Sequence, residues 1–330
     1  MFRIKKRVLA VGLALPLVLA ACTSSGNDGS GSTNTAAAGG GKGSYGYKFA
    51  VVTHGAIGDS FWDVVKKGVE QAGKDEGVTV TYQSDGDPQK QSQLIDAAVN
   101  QKVDGLVVSM ANPDALKASI EKAVAAGIPV ITINSGQDRS AEFGAIAHVG
   151  QDEKIAGEGA GTKLKEAGVT KAICVIQEAG NVGLEQRCAG VKETLGGPVE
   201  NIQVQNSDPA GAQAIIKAKL QQDKGINGVL TLGPVIGSAA IQAVADAGSS
   251  AKLATFDLNA DVTKAIADGK MLFAVDQQQY VQGYLPIVML TLYKSNLNTI
   301  GGGHPVLTGP GFVTKDNASQ VADLAKAGTR

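Results

Sequence analysis

An imbalance of charge is the first thing missing. The 330 residues carry 30 Lys and Arg against 31 Asp and Glu, so there is no basic face of the kind a nucleic-acid binder needs. Histidine is scarce: His54, His148 and His304 lie far apart, without the spacing of zinc ligands, and no metal site is expected. Aromatic residues are few, with one Trp, six Tyr and seven Phe, so those that fall in loops can be weighed one at a time. Signatures of catalysis are missing altogether. The chain has no Gly-x-Ser-x-Gly elbow, no Walker A loop and no Gly-x-Gly-x-x-Gly after its first strand; Gly55-Ala56-Ile57-Gly58 does not supply the dinucleotide spacing. An enzyme has nothing specific to rest on, and no cofactor is called for. What is abundant is apolar residue, 43% against 18% charged, the composition of a packing globular chain.

The amino terminus reads as an export signal. Arg3, Lys5, Lys6 and Arg7 precede the apolar run Val8–Ala21, whose 14 residues fall short of the roughly 20 that a stable membrane-spanning helix needs. The run ends in Leu19-Ala20-Ala21-Cys22, which resembles a bacterial lipobox and implies cleavage before Cys22 and lipidation of its sulfur. An ordinary small-residue cleavage site is the plainer alternative. Loss of the four basic residues takes the net charge from −1 to −5. A mildly acidic exported protein has no electrostatic reason to seek DNA or an anionic membrane. Residues 23–46 form a low-complexity tract in which 21 of 24 positions are Gly, Ser, Thr, Ala or Asn, so no core can form there. As a flexible coil the tract would span roughly 27 Å, the reach of a tether. With Cys22 acylated, Cys174 and Cys188 remain as a pair in an oxidising compartment, where a disulfide is the natural state and two buried thiols are the alternative.

From Tyr47 onward, strand and helix patterns alternate. Short apolar runs read as buried parallel strands at Phe49–Val52, Val78–Tyr82, Gly105–Ser109, Pro129–Ile133, Ala172–Ile176, Gly228–Leu232, Leu253–Phe256 and Leu272–Val275, with a further strand around Ala145–Asp152. After the first run, Phe61, Val64, Val65, Gly68, Val69 and Ala72 form one helical stripe, with Asp59 or Ser60 placed to cap it. A second stripe, Leu116, Ile120, Ala123 and Val124, stops at Gly127. This cadence means βαβ units and parallel sheets. More than eight strands and two similar halves favour two doubly wound lobes over a single eight-stranded barrel. Ligands of such folds sit at the carboxyl ends of the strands.

Those ends are polar in both halves. The first is followed by His54 and then by Asp59, Phe61 and Trp62, a pair of aromatics suited to the apolar faces of a sugar ring, although one of them is expected to fill core. Later ends carry Ser109, Asn134-Ser135, Gln177-Glu178, Asp257-Leu258-Asn259 and Asp276 through Tyr280. Arg187 is read at the opening of a helix, where a cation opposes the helix dipole and needs another reason to persist; ligand contact would be one.

Together these segments resemble the substrate-binding proteins of bacterial sugar ABC transporters, and are similar to the ribose-binding type. The resemblance is carried by the loop before Phe61-Trp62, Val130 through Asn134, Gly150-Gln151-Asp152, Arg187-x-x-Gly190, Thr255-Phe256-Asp257 and Asp276 through Gly283, and it covers Tyr47–Asn317. It implies the type I periplasmic-binding fold, an α/β architecture of two doubly wound parallel-sheet lobes joined by a three-segment hinge. The expected division is a signal peptide at 1–21, a lipidated Cys22 and tether over 22–46, one lobe of 47–149 plus 279–307, and a second of 150–278 plus 308–330. The implied ligand residues are Asp59, Phe61, Trp62, Ser109, Asn134, Ser135, Arg187, Asp257 and Gln277, with His54 an extra candidate. An Asp-Arg pair of the ribose pattern is Asn134-Ser135 here, an aromatic is lost near Asp208-Pro209 and an Asn is replaced by Gly233. These departures favour a smaller or acyclic guest such as a polyol as much as ribose. The resemblance further implies a monomer that closes its hinge on a sugar or polyol and presents the closed form to a membrane permease. A receptor feeding a signalling partner, a sugar-responsive repressor and an exported α/β enzyme are the competing readings; the repressor would need an amino-terminal helix-turn-helix where this chain has its signal and tether.

Overall fold

The computed structural model describes residues 45–56 and 58–330; the signal segment, Cys22 and nearly all of the tether lie outside the described residues. In chain order the first half runs β1 (Lys48–Thr53), α1 (Ser60–Glu76), β2 (Thr79–Ser84), α2 (Pro88–Asn100), β3 (Gly105–Ser109), α3 (Pro113–Ala125), β4 (Val130–Ile133), α4 (Gln137–Ser140) and β5 (Ala147–Gln151). The second runs α5 (Glu153–Glu166), β6 (Ala172–Ile176), α6 (Val182–Leu195), β7 (Val199–Gln203), α7 (Pro209–Gln222), β8 (Gly228–Thr231), α8 (Pro234–Asp246), β9 (Lys252–Phe256), α9 (Ala260–Ala267) and β10 (Phe273–Asp276). The chain ends with α10 (Gln279–Asn296), β11 (Val306–Gly309), β12 (Gly311–Thr314) and α11 (Ala318–Ala327).

The strands form two open six-stranded sheets, ordered β11-β5-β4-β3-β1-β2 and β12-β10-β9-β8-β6-β7, so the barrel is excluded. All pairings are parallel except β10 with β12. In each sheet the order reverses at the first strand of its half, β1 or β6, and the crevice outside such a reversal is where doubly wound sheets receive ligands. Central strands such as β3, β4 and β6 are buried along their whole length, which is why they read as unbroken apolar runs. The edge strand β7, Val-Glu-Asn-Ile-Gln, is half polar and largely exposed, and that concealed it from a hydrophobicity reading.

Helix starts follow the expected chemistry. The Asp59 side chain accepts from the Phe61 N–H and caps α1, whose stripe from Phe61 to Ala72 faces core. Close helix pairs are made by glycine. A Cβ on Gly68 of α1 would lie 2.2 Å from the Tyr280 carbonyl oxygen of α10, and one on Gly157 of α5 would lie 2.1 Å from the Arg187 carbonyl oxygen of α6. Cys174 on β6 and Cys188 on α6 are joined by a disulfide, with their Cα atoms 5.9 Å apart. The natural oxidised pairing therefore holds.

Three crossings link the sheets. They fall between β5 and α5, between β10 and α10, and at Pro310 between β11 and β12. The strand β5 runs to Gln151 and β11 to Gly309, so the first sheet keeps two residues at each of the points where the expected boundaries stand at 149 and 307.

Candidate functional site

Where β4 and β9 end, the next residue in each half turns into the left-handed region: Asn134 at φ 63° and Asp257 at φ 65°. Asn and Asp tolerate that conformation better than most residues. Backbone N–H groups hold both turns, Asn134 donating to Val149 and Asp257 to Val275. The two side chains are thereby turned toward one another across the crossing residue Gln277, whose Nε2 donates to both Asp257 oxygens at 3.0 Å while its Oε1 accepts from Asn134 Nδ2 at 3.1 Å. Backbone strain thus sits in matched places on both sheets, at the site.

These residues open onto a cavity of about 30 Å³ between the two halves. Its first-half wall is His54, Asp59, Phe61, Trp62, Asn134 and Ser135; its second-half wall includes Gln177, Glu178, Asn181, Arg187, Asn206 and Asp257. Phe61 and Trp62 meet edge to face with ring centres 5.0 Å apart, and both reach from the core to the cavity. Gly55 allows this: a Cβ there would stand 2.4 Å from Trp62 Cγ. The rims touch directly. Asn206 Nδ2 donates to Asp59 Oδ2 at 2.8 Å, Ser135 Oγ to Asn181 Oδ1 at 3.1 Å and Gln186 Nε2 to Asp138 Oδ2 at 2.8 Å, while the Val182 N–H donates to the Ala111 carbonyl. Every one of these bonds joins one half of the fold to the other.

Arg187 lies in the second turn of α6, not at its opening, and it is buried. The reason it persists is an ion pair. Its Nε and Nη2 grip both oxygens of Glu153 at 2.6 and 2.9 Å, its Nη1 donates to the Leu232 carbonyl at 3.0 Å, and its guanidinium lies 4.5 Å from the Phe256 ring centre. Glu153 is the first residue of α5, where the helix dipole favours a negative charge, and it also accepts from Gln151 Nε2 at 2.8 Å. Nη1 stands 3.9 Å from Asp257 Oδ2 as well.

Burial controls the titration of the lining groups. It pushes Asp257 up to about 8, against the opposing pull of the Arg187 charge and the Gln277 hydrogen bonds. Asp59 rises to about 7 through burial and the nearby Glu178, and Glu178 is itself raised by burial. His54 is held down to about 3 by burial and by Arg187, so its ring is neutral. Its Nδ1 lies 2.7 Å from Ser109 Oγ, which also accepts from the His54 backbone N–H, and Trp62 packs on the ring edge to face.

Of the ten candidates named from the sequence, nine line one cavity: His54, Asp59, Phe61, Trp62, Asn134, Ser135, Arg187, Asp257 and Gln277. Ser109 does not line it and instead fixes the His54 ring from behind. Sequence reasoning noted Gln177 and Glu178 only as polar strand-end residues and passed over Asn181 and Asn206. Asn181 follows β6 and caps α6, a signal that could have found it. Asn206 follows β7, the strand whose polar sequence hid it. Gly233, where the ribose pattern has an Asn, leaves space that the Gln177 amide occupies, 2.7 Å from where a Cβ would stand.

Two doubly wound sheets, three crossings and a polar cavity shared between them define a two-lobed binding protein of the periplasmic type. The chain belongs to the periplasmic binding protein domain family, whose model matches residues 49–296. Among curated relatives, it is 26% identical to the ribose import binding protein of Bacillus subtilis over 69% of this chain and 76% of that protein. It is 27% identical to the fructose import binding protein of Bifidobacterium longum, over 64% of this chain and 68% of that one. Among solved structures, a carbohydrate transporter protein from Acidothermus cellulolyticus in complex with myo-inositol is 46% identical, with a TM-score of 0.85, over 86% of this chain and all of that one. These relatives bear the names of binding and transport proteins. No helix among the described residues is long and apolar enough to cross a membrane.

Proposed function

We propose that this protein is an extracytoplasmic solute receptor that binds a neutral polyol, a cyclitol such as myo-inositol before a pentose, between its two lobes and delivers it to an ABC importer. The observation that carries the reading is the cavity itself: amide, hydroxyl and carboxylate groups converge from both sheets beside two aromatic rings. The myo-inositol complex of the 46%-identical Acidothermus protein supports the cyclitol over a pentose. In this reading residues 47–149 plus 279–307 and residues 150–278 plus 308–330 are the two lobes. Their crossings absorb a hinge motion, and the bonds Asn206–Asp59 and Ser135–Asn181 belong to the closed form. A guest touching both walls favours that form, and a membrane permease reads it. Cys22 anchors the body through a lipid, residues 23–46 act as its tether, and the receptor works as a monomer without a cofactor and without catalysing a reaction.

The test is a thermal-shift screen of inositols, pentitols, tetritols, hexoses and pentoses on the mature body, followed by calorimetry. A true guest at 100 times its dissociation constant stabilises by about 2.7 kcal/mol. Arg187→Ala and Asp257→Ala should each weaken the hit by roughly 1.5–3 kcal/mol or more, the value of a charged hydrogen bond. Undiminished binding in both variants would refute the site, and absence of any hit among the cyclitols would refute the ligand class. Recovery of the guest unchanged after incubation separates a receptor from an enzyme.

A further inference from the structure

Of the residues that line the cavity, only Gln177 keeps a buried side-chain atom, its Oε1, with no hydrogen-bond partner among the described residues. The residue is more than nine-tenths buried, and its backbone is already fixed, since its carbonyl accepts from the Asn206 N–H at 3.2 Å. A buried acceptor left unpaired is costly and calls for a donor. Across from it stands Gly233, which lines the same cavity. Strands β6 and β8 pair in parallel with Val175 opposite Thr231, and the same register carried two residues further sets Gln177 opposite Gly233. Opposed positions of neighbouring strands direct their side chains to one face, so these two share a single volume. A Cβ on Gly233 would stand 2.7 Å from Gln177 Nε2 and 3.5 Å from its Cδ. The backbone does not ask for glycine there: φ −165° and ψ 158° are extended, and any residue adopts them. Glycine also leaves α8 without the side-chain cap that an Asn would supply. Room for the Gln177 amide is the reason that remains.

We propose that Gln177 and Gly233 set the specificity of the receptor, with the Gln177 Oε1 accepting one hydroxyl of the guest. The Asn of the ribose pattern is given up at Gly233, and the amide stands one strand over, about 4.8 Å away. This rests on the polyol-receptor reading above and deepens it. A cyclitol offers an O–H at every hydroxylated ring position, whereas a sugar ring has one position that is an ether oxygen with no proton to give. Because Oε1 is already out of water before the guest arrives, the new bond has little hydration to displace on the protein side.

Calorimetry on the mature body tests the assignment with myo-inositol, its monodeoxy analogues at each ring position, and D-ribose. Deoxygenation at one position should weaken binding by at least about tenfold. In Gln177→Leu, myo-inositol should weaken by the same factor while that analogue loses nothing further. The ligand-free Leu variant should melt no lower than the parent, because it removes an unpaired buried acceptor, whereas a merely structural role would lower its melting temperature. Gly233→Asn should displace the amide and reproduce the loss, and Gln177→Ala/Gly233→Asn should raise the ribose-to-inositol affinity ratio at least about tenfold. A Gln177→Leu variant that binds like the parent, a melting temperature that falls along with affinity, or no analogue coupled to position 177 overturns the assignment and leaves the polyol receptor intact. An affinity ratio unmoved in the double variant overturns the exchange between strands. Binding of a pentose without any cyclitol overturns the cyclitol reading, and the same cycle with deoxypentoses then decides the assignment. Binding of neither class overturns both.

Discussion

Replacing Glu153 by Gln should destabilise the protein far more than an isosteric change of one atom suggests. The Glu153 side chain is 2% exposed and accepts three hydrogen bonds, two from Arg187 and one from Gln151. A Gln at this place keeps one oxygen but turns an NH₂ group toward guanidinium N–H donors, and it leaves the buried Arg187 charge with only Asp257 at 3.9 Å. Removing one partner of a buried pair costs roughly 3–5 kcal/mol, because the surviving charge stays desolvated. The cost of the pair as a whole is smaller. A Glu153→Leu/Arg187→Met double variant, which removes both charges, should therefore be more stable than Glu153→Gln while failing to bind. Urea denaturation of the mature body, with a double-mutant cycle through the single variants, measures both quantities. A Glu153→Gln variant within about 1 kcal/mol of the parent, or a double variant less stable than the single, would show that the pair does not hold Arg187 in the way described.

Three further outcomes are expected. Asp59 and Asp257, raised to about 7 and about 8 from 3.8, keep protons in the folded state that the unfolded chain has released, so their contribution falls as pH rises toward 8. His54 and His148, lowered to about 3 and about 4 from 6.5, act below pH 6.5 in the opposite sense. Between pH 6.5 and 8 only the carboxyls contribute among these four, and ligand-free stability should decline there by up to about 1.4 kcal/mol per pH unit for each proton difference; a flat or rising profile contradicts the burial assigned to them. Gly55→Ala would press a methyl group into Trp62, at a cost of roughly 1–3 kcal/mol, and the emission of this single tryptophan should shift with a loss of ligand affinity; an unchanged spectrum and affinity would mean the ring is not seated there. Intact mass without reductant should be lower than the reduced mass by two hydrogens for Cys174–Cys188, equal masses being the contrary result, and the double Ser variant should lose about 3 kcal/mol.

Much of this was legible along the chain because period and punctuation carry it. Unbroken runs such as Gly105–Ser109 and Ala172–Ile176 are buried on both faces of a sheet and have no alternative use for their composition. The polar residue after each strand was visible for the same reason, since a doubly wound sheet delivers those positions to one crevice. Other features had no local signal. The edge strand β7 is polar because one side meets water, so neither it nor Asn206 beyond it stood out. Ser109 has the composition of a ligand contact, yet only the fold shows the His54 ring in front of it. The purpose of Arg187 could not be read from its own helix, because Glu153 lies 34 residues away and meets it only when α5 packs on α6 through their glycines.

What the amino-acid order determined by itself was therefore the cadence of strand and helix, the caps, the identity of the polar strand ends and the cysteine pair, all features set by neighbours within a few residues or by composition. What the tertiary structure alone decided was partnership: which carboxylate is neutralised and which is left facing the cavity, which side chain lines it and which only supports another. Burial and charge compensation are properties of distance in space, and residues such as Asp59 and Asn206 acquire them only when the two sheets close on each other.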